Sequence, residues 1–439
     1  MNTGMTRRGF LATAAASAAA GPWIIPKRAW GADDVAPPSE RIGLGFVGCG
    51  AMNSGHMHHF VNRAGVQVVA VCDVIRQKRE EARRRIEEVY ADAAGQNAYT
   101  GCADYNDFRE LIADPNVDAV VVATPDHWHT LPALAAMRAG KDVYVEKPMT
   151  LTIEEGRALA DEAKRSGRKL QVGSHQRSVG PFRQAVILAR TGKLGRLQRV
   201  EAGIYTGPSG GVAVEEPVPE GFDYEMWLGQ APWRPYSPAF TQGVRPWMYI
   251  SDFSGGRPTE WGSHHFDIAQ WGMDADATGP VEIEGTGVFP QEGLYDCLTT
   301  WRIEMRFADG VTMLSADETY IPQGVKFIGD EGWVFVNRDT IEAEPASLLE
   351  LPVSADEAGI IESHDHAANW LDAIRTGGET VCNAEVGHRA ATLCHLTNIA
   401  AKLGRKLQWD PAAERFIDAP DADAMISRTM RAPWSLDAV

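Results

Sequence analysis

Four short, dominantly apolar runs, Ile42 to Val47, Gln67 to Cys72, Ala119 to Ala123 and Asp142 to Val145, alternate with stretches whose apolar residues recur at helical spacing. Those stretches begin near Ser54, run from Arg76 to Tyr90, and run from Leu131 to Ala139. A strand buried on both faces reads as a continuous apolar run, and strands alternating with helices build a parallel sheet. The pattern predicts a doubly wound α/β half over residues 41–172. Gly140 stands where a helix must stop, and Thr152 followed by Glu155 predicts a capping box for the helix after Lys147.

Past Gln171-Val172-Gly173-Ser174-His175-Gln176-Arg177 the pattern changes. Gln198 to Tyr205, Cys297 to Phe307 and Val311 to Ser315 are rich in β-branched and aromatic residues, which predicts antiparallel strands. Helices follow at about 363–375 and 384–403, the second with Val386, Leu393, Leu396, Ala400 and Leu403 at helical spacing. The predicted fold is therefore α/β: an N-terminal Rossmann dinucleotide-binding domain, then a C-terminal α+β domain over 173–439 with a large, mostly antiparallel open sheet.

Composition adds exclusions. With 439 residues and 44% hydrophobic content the chain can bury two cores. Its formal charge is −17, and the first 32 residues hold Arg7, Arg8, Lys27 and Arg28 with no acid, so the remainder carries −17 − 4 = −21. So acidic a body repels phosphate backbones, and nucleic acid is not an expected partner. Six cysteines without a Cys-x-x-Cys pair, two of them inside the glycine loop and a buried strand, read as free thiols. The nearest approach to a metal pattern is His56, His58 and His59, which a packed or solvated helix explains, and no metal is expected.

Residues 1–32 read as a twin-arginine export signal: Arg7-Arg8-Gly9-Phe10-Leu11, an alanine-rich run to about Ile25, and small residues around Ala29-Trp30-Gly31, before a linker at 33–40. The apolar run is short for a membrane span, so stable insertion is not expected. The expectation is a periplasmic protein, carried folded by the twin-arginine export machinery with its cofactor already bound.

Chemistry concentrates in two places. Gly48-Cys49-Gly50 closes the first strand and allows the tight turn and close backbone approach that a pyrophosphate needs at a helix N-terminus, although the third position of G-x-G-x-x-G is Asn53. Asp73 ends the second strand, where a carboxylate accepts from ribose hydroxyls and repels a 2′-phosphate. NAD is favoured, and Arg76 keeps NADP open. Glu146-Lys147-Pro148 delivers an ammonium to the carboxyl edge of the same sheet, where such folds bind ligands. In the second half, Glu260, His264 and Asp267 fall at i, i+4 and i+7, so a carboxylate can orient an imidazole able to take a hydroxyl proton; His265 is the base if the register differs by one. Five tryptophans between Tyr224 and Trp271 suit the C–H faces of a sugar and suit a core equally well.

Gly48-Cys49-Gly50, Cys72-Asp73, Ala123-Thr124-Pro125-Asp126-His127-Trp128-His129 and Glu146-Lys147-Pro148, in that order, resemble the Gfo/Idh/MocA family of oxidoreductases from Arg41 to Trp434. The resemblance implies NAD(P) in the Rossmann half, Thr124 to His129 beside the nicotinamide ribose, and Lys147 touching cofactor and substrate. It also implies a sheet face that roofs the substrate, and pairing into a homo-oligomer, dimer or tetramer. Glu260 stands where the family's Asp-x-x-x-His pair has aspartate. The expected cofactor-binding residues are Gly48, Gly50, Ala51, Met52, Asp73, Thr124, Pro125, His127, His129, Glu146 and Lys147. The expected catalytic residues are Lys147, His264 and Glu260, and the expected substrate-binding residues are His175, Arg177, Arg245, His264, His265 and Asp267. The expected activity is hydride transfer between a carbinol of a sugar, glycoside or polyol and a tightly held nicotinamide cofactor. One alternative is an NAD-dependent glycosidase or lyase working by transient oxidation and elimination, and another is a non-catalytic cofactor-binding protein.

Overall fold

The computed structural model describes residues 40–439 apart from 96, 97, 244 and 353; the expected export signal, and the linker up to residue 39, lie outside the described residues. The first sheet has strands β1 (Ile42–Val47), β2 (Val66–Cys72), β3 (Ala103–Tyr105), β4 (Ala119–Val122), β5 (Asp142–Val145) and β6 (Leu170–Val172). Their order is β3-β2-β1-β4-β5-β6, every pair parallel, which is the Rossmann arrangement. All residues of β1, β4 and β5 are buried, as strands covered by helices on both faces require. Gly140 takes φ +80° after the helix Thr130–Arg138. The Thr152 hydroxyl accepts from the Glu155 N–H at 3.2 Å, but the Glu155 carboxylate accepts from the Leu151 N–H at 2.9 Å, one residue short of closing the reciprocal half of the box.

The second sheet has β7 (Leu197–Ile204), β8 (Glu282–Val288), β9 (Thr300–Arg306), β10 (Thr312–Asp317), β11 (Gly324–Gly329), β12 (Trp333–Val336), β13 (Ile341–Glu344), β14 (Leu407–Asp410) and β15 (Arg415–Ile417). Its order is β13-β12-β11-β7-β10-β9-β8-β14-β15, antiparallel except for β7 beside β10. In β9, Trp301, Ile303 and Met305 point inward beneath the helices Gly262–Gly272 and Ala384–Leu403. The alternate residues Arg302, Glu304 and Arg306 face outward, and Glu304 pairs with Arg199 of β7.

The last third of the chain returns to the nucleotide half. The helix His366–Thr376 lays Trp370 and Leu371 into the core around Phe46, Phe60 and Tyr144, and Trp434 packs edge-on against Trp128 at 4.9 Å. Fully burying a large apolar side chain such as Leu371 is worth about 1.5–3 kcal/mol, so the last third of the chain ties the second domain to the nucleotide half. Among the described residues no helix is long and apolar enough to cross a membrane. All six cysteines are free.

Candidate active site

A cleft of about 1380 Å³, counted out to its mouth, opens along the carboxyl ends of β1, β2, β4 and β5. At one end Gly48 takes φ +87°, and a Cβ there would lie 2.8 Å from the Ala123 carbonyl oxygen, so only glycine lets β1 turn so close to β4. Gly50 precedes the helix Ala51–Val61 and has open space on its Cβ side, leaving backbone for a close ligand. Asn53, at the position of the third glycine, donates its side-chain amide to the carbonyls of Val47 at 3.0 Å and Gly48 at 2.5 Å. It thereby braces the turn from the place where a third glycine would stand. Asp73 accepts from the N–H groups of Cys49 at 2.7 Å and Ile75 at 2.8 Å, and its carboxylate borders the cleft. The buried Thr124 hydroxyl has no partner within the described residues. A glycine turn at a helix N-terminus, a carboxylate at the end of β2 and an unpaired hydroxyl beyond β4 fit a dinucleotide laid across this cleft.

At the other end Lys147 leaves β5 and donates from Nζ to the Glu260 carbonyl at 3.2 Å, which joins the nucleotide half to the second domain. Burial pushes its pKa down, against the opposing pull of Glu146, Glu260 and Asp126. Asp126, 3% exposed, also lines the cleft and accepts from the Ser254 hydroxyl at 2.5 Å. Burial raises it most, with the Ser254 bond and Lys147 pulling the other way, and it settles at about 7. Arg245 and Trp247 complete this end. His264 lies behind it, buried, with no partner for Nδ1; burial first, and then the charge of Lys147, holds it well below the ordinary imidazole range and therefore neutral.

Of the expected cofactor residues, Gly48, Gly50, Ala51, Met52, Asp73, Thr124, Pro125, His129, Glu146 and Lys147 all line this cleft. His129 is a strut: its ring reaches the Pro148 carbonyl at 2.6 Å and the Thr124 carbonyl at 3.0 Å. His127 does not line the cleft. It is fully buried behind the loop, bonded to the Trp227 carbonyl at 3.0 Å and packed on Phe253, and burial depresses it to about 3.

Of the expected substrate residues only Arg245 borders the cleft. Arg177 and Asp267 form a buried ion pair with Asp276, 2.8 Å and 2.7 Å from the Arg177 guanidinium, and that guanidinium stacks over Trp271. His265 is committed to the Gly203 carbonyl through Nδ1 and to Gln323 through Nε2. His175 sits on the far side of Glu146, bonded to the Tyr144 hydroxyl at 2.9 Å. Glu260 does not orient His264 through its carboxylate: that carboxylate pairs with Arg257 at 2.6 Å, in a short helix Arg257–Glu260 distinct from the helix Gly262–Gly272 that carries His264. Asp126 escaped the sequence reading as a site residue, although it stands inside the quoted Thr124-to-His129 motif. The aromatic question divides: Tyr224, Trp227, Tyr236, Phe240 and Phe253 make a core cluster, whereas Trp247 and one edge of Trp227 face the cleft.

Residues 42–174 match the family model described as the NAD-binding Rossmann fold of an oxidoreductase family, and residues 208–436 match that family's C-terminal alpha/beta domain. A glycosyl hydrolase family 109 protein from Shewanella pealeana is 28% identical over 211 residues, a stretch covering 45% of each chain. The match thus spans less than half the length of that curated relative. In overall fold the chain is similar to the WlbA dehydrogenase from Bordetella pertussis, solved with NADH and UDP-GlcNAcA, at TM-score 0.60 and 18% identity over 84% of this chain and 99% of that one. It is likewise similar to a levoglucosan dehydrogenase, solved with NADH and L-sorbose, at TM-score 0.59 and 18% identity with the same coverage.

Proposed function

Because the chain belongs to the Gfo/Idh/MocA oxidoreductase family, with an NAD-binding Rossmann half, we propose that it oxidises or reduces a carbinol carbon of a sugar, glycoside or polyol at the Lys147 end of its cleft. The observation that carries this reading is Lys147 itself, a desolvated ammonium at the end of β5, held against the second domain and flanked by Asp126 and Arg245. When bound, NAD supplies the hydride acceptor and donor. Lys147 would hydrogen-bond the reacting oxygen and stabilise its alkoxide character, an effect that grows where water is excluded. His264, neutral, behind the cleft wall beside Lys147 and with its buried Nδ1 unpartnered, would take up the hydroxyl proton passed on through the Lys147 ammonium rather than by lining the cleft itself. Asp126 would hold a proton or a charge next to Lys147 as the reaction requires. Arg245 would bind substrate hydroxyls.

Comparing His264→Ala with the parent by thermal melt and by hydride transfer tests the role of the imidazole. Turnover should fall about 10²- to 10⁴-fold with little change in melting, and equal losses in both assays reject it.

The glycosyl hydrolase family 109 relatives support a second reading, in which transient oxidation of a ring carbon acidifies the neighbouring C–H, the aglycone leaves by elimination, and the hydride is returned. Product analysis separates the two, since a released aglycone means elimination and an accumulating ketone means net oxidation. We also read residues 1–32 as a twin-arginine signal, and so the protein as periplasmic and exported with its nucleotide aboard. Replacing Arg7 and Arg8 by lysine should then strand it in the cytoplasm. Pairing into a homo-oligomer belongs to the same proposal, and light scattering measures it.

A further inference from the structure

Glu146 is buried, 4% exposed, and no lysine or arginine among the described residues forms an ion pair with it. Its neighbours are two imidazoles: His56 Nε2 lies 2.8 Å from Glu146 Oε1, and His175 Nε2 lies 3.8 Å from the same oxygen. The three ligand atoms all fall within 4.8 Å of one another, and the two rings are nearly parallel, 5.9 Å apart. These residues come from three separate elements, the helix Ala51–Val61, the end of β5 and the turn after β6. The last of these keeps a glycine, Gly173, where a Cβ would lie 2.6 Å from Glu146 Oε1. A buried carboxylate faced by imidazoles, with no lysine or arginine side chain in an ion pair with it, is costly unless those rings are protonated or a cation reaches it, and buried charges are ordinarily paired or bound to metal.

We infer that His56, Glu146 and His175 form a site for one divalent transition cation of the zinc class, at the wall of the nucleotide cleft, which Glu146 lines and the two histidines back from behind. Two imidazoles and a carboxylate are a donor set that zinc takes in tetrahedral geometry, with bonds of about 2.0–2.2 Å that space the donors roughly 3.3 Å apart. The observed 2.8 and 3.8 Å bracket that spacing. Closing the remaining gap falls to His175, whose side chain is 49% exposed and whose Nε2 would exchange its bond with the Tyr144 hydroxyl for the ion. The other carboxylate oxygen accepts from the Lys147 backbone N–H at 3.2 Å, so the ion would fix the strand end from which Lys147 departs. The exposed side of His175 leaves the fourth position to water. This inference stands whatever the substrate proves to be.

The test uses full-length, nucleotide-loaded protein freed of metal by a chelator, then titrated with Zn²⁺ by calorimetry and with Co²⁺ by visible absorption. One ion per chain should bind, raise the melting temperature by mass action, and give Co²⁺ the intense visible bands of a tetrahedral nitrogen and oxygen site. His175→Ala should melt like the metal-free parent, bind Zn²⁺ about 100-fold or more weakly, and lose the thermal response. The double substitution His58→Ala and His59→Ala, on the exposed side of the same helix, should retain both. The inference is overturned by absent stoichiometric binding, by unchanged affinity in His175→Ala, by loss of binding in the His58/His59 variant, or by weak octahedral or thiolate charge-transfer Co²⁺ spectra.

Discussion

Replacing Asp126 by asparagine should stabilise the protein, and only above the pH at which the carboxylate ionises. Asp126 is almost fully buried, and burial carries its pKa from 3.8 to about 7, in spite of the Ser254 hydroxyl and the Lys147 charge. A raised carboxylate pKa means that the folded state holds the proton more tightly than the unfolded chain. The cost is therefore absent below about pH 4, grows as pH rises toward 7, and is complete above it. Three units at about 1.4 kcal/mol each amount to roughly 4 kcal/mol. Asparagine keeps an oxygen for Ser254 and carries no charge to desolvate. For roughly 400 residues unfolding near 2 cal/mol/K each, 4 kcal/mol corresponds to about 5 °C. Thermal melts of parent and Asp126→Asn, both stripped of nucleotide, should coincide within about 1 °C at pH 4, differ by about 2 °C at pH 5 and separate by about 5 °C at pH 8, the variant being the more stable. A gap independent of pH, or a variant less stable at pH 8, refutes the reasoning. A carboxylate retained at that cost on the wall of a cleft is the kind of group that serves chemistry, and the same substitution should lower hydride transfer at pH 8.

Gly48→Ala should fold yet purify with at least tenfold less bound nucleotide. A Cβ at φ +87° costs about 1–2 kcal/mol and would also meet the Ala123 carbonyl; an unchanged nucleotide-to-protein ratio speaks against the loop's role. Arg177→Met should lower stability by about 3–5 kcal/mol, because it leaves Asp267 buried without its partner, and a thermal melt will show it. Turnover per folded molecule should stay the same, whereas lost turnover with an unchanged melt restores Arg177 to the substrate site.

The Rossmann half was legible because its strands are buried on both faces and its turns carry residues chosen for backbone reasons. Gly48, Gly140 and Thr152 sit where those constraints act. The antiparallel sheet was legible from segments rich in β-branched and aromatic residues such as Cys297 to Phe307, within which Trp301, Ile303 and Met305 turn inward and Arg302 and Glu304 outward. The single parallel pair, β7 beside β10, has no local signature, since pairing direction depends on the crossover and not on either strand. The sequence reading of the site put a continuous motif, from Thr124 to Lys147, along what is one cleft in the fold, with His127 lying off it and Asp126 missed. It failed where a partner comes from elsewhere: Arg177 and Asp267 look like ligands separately and are each other's counter-ion in the fold. Glu260 and His264 have the spacing of a working pair, but Arg257, three residues before Glu260, takes the carboxylate. The grouping of His56, Glu146 and His175 could not be seen at all, because three elements must fold before it exists.

The account's central claim is that reaction occurs at the Lys147 ammonium. The most direct measurement is single-turnover reduction of the bound nicotinamide in parent and Lys147→Met, followed at the reduced-nicotinamide band after nucleotide content has been matched and a reactive sugar or polyol identified. The account predicts a rate about 10²- to 10³-fold lower in the variant with its melt preserved. An undiminished rate with nucleotide in place would contradict it.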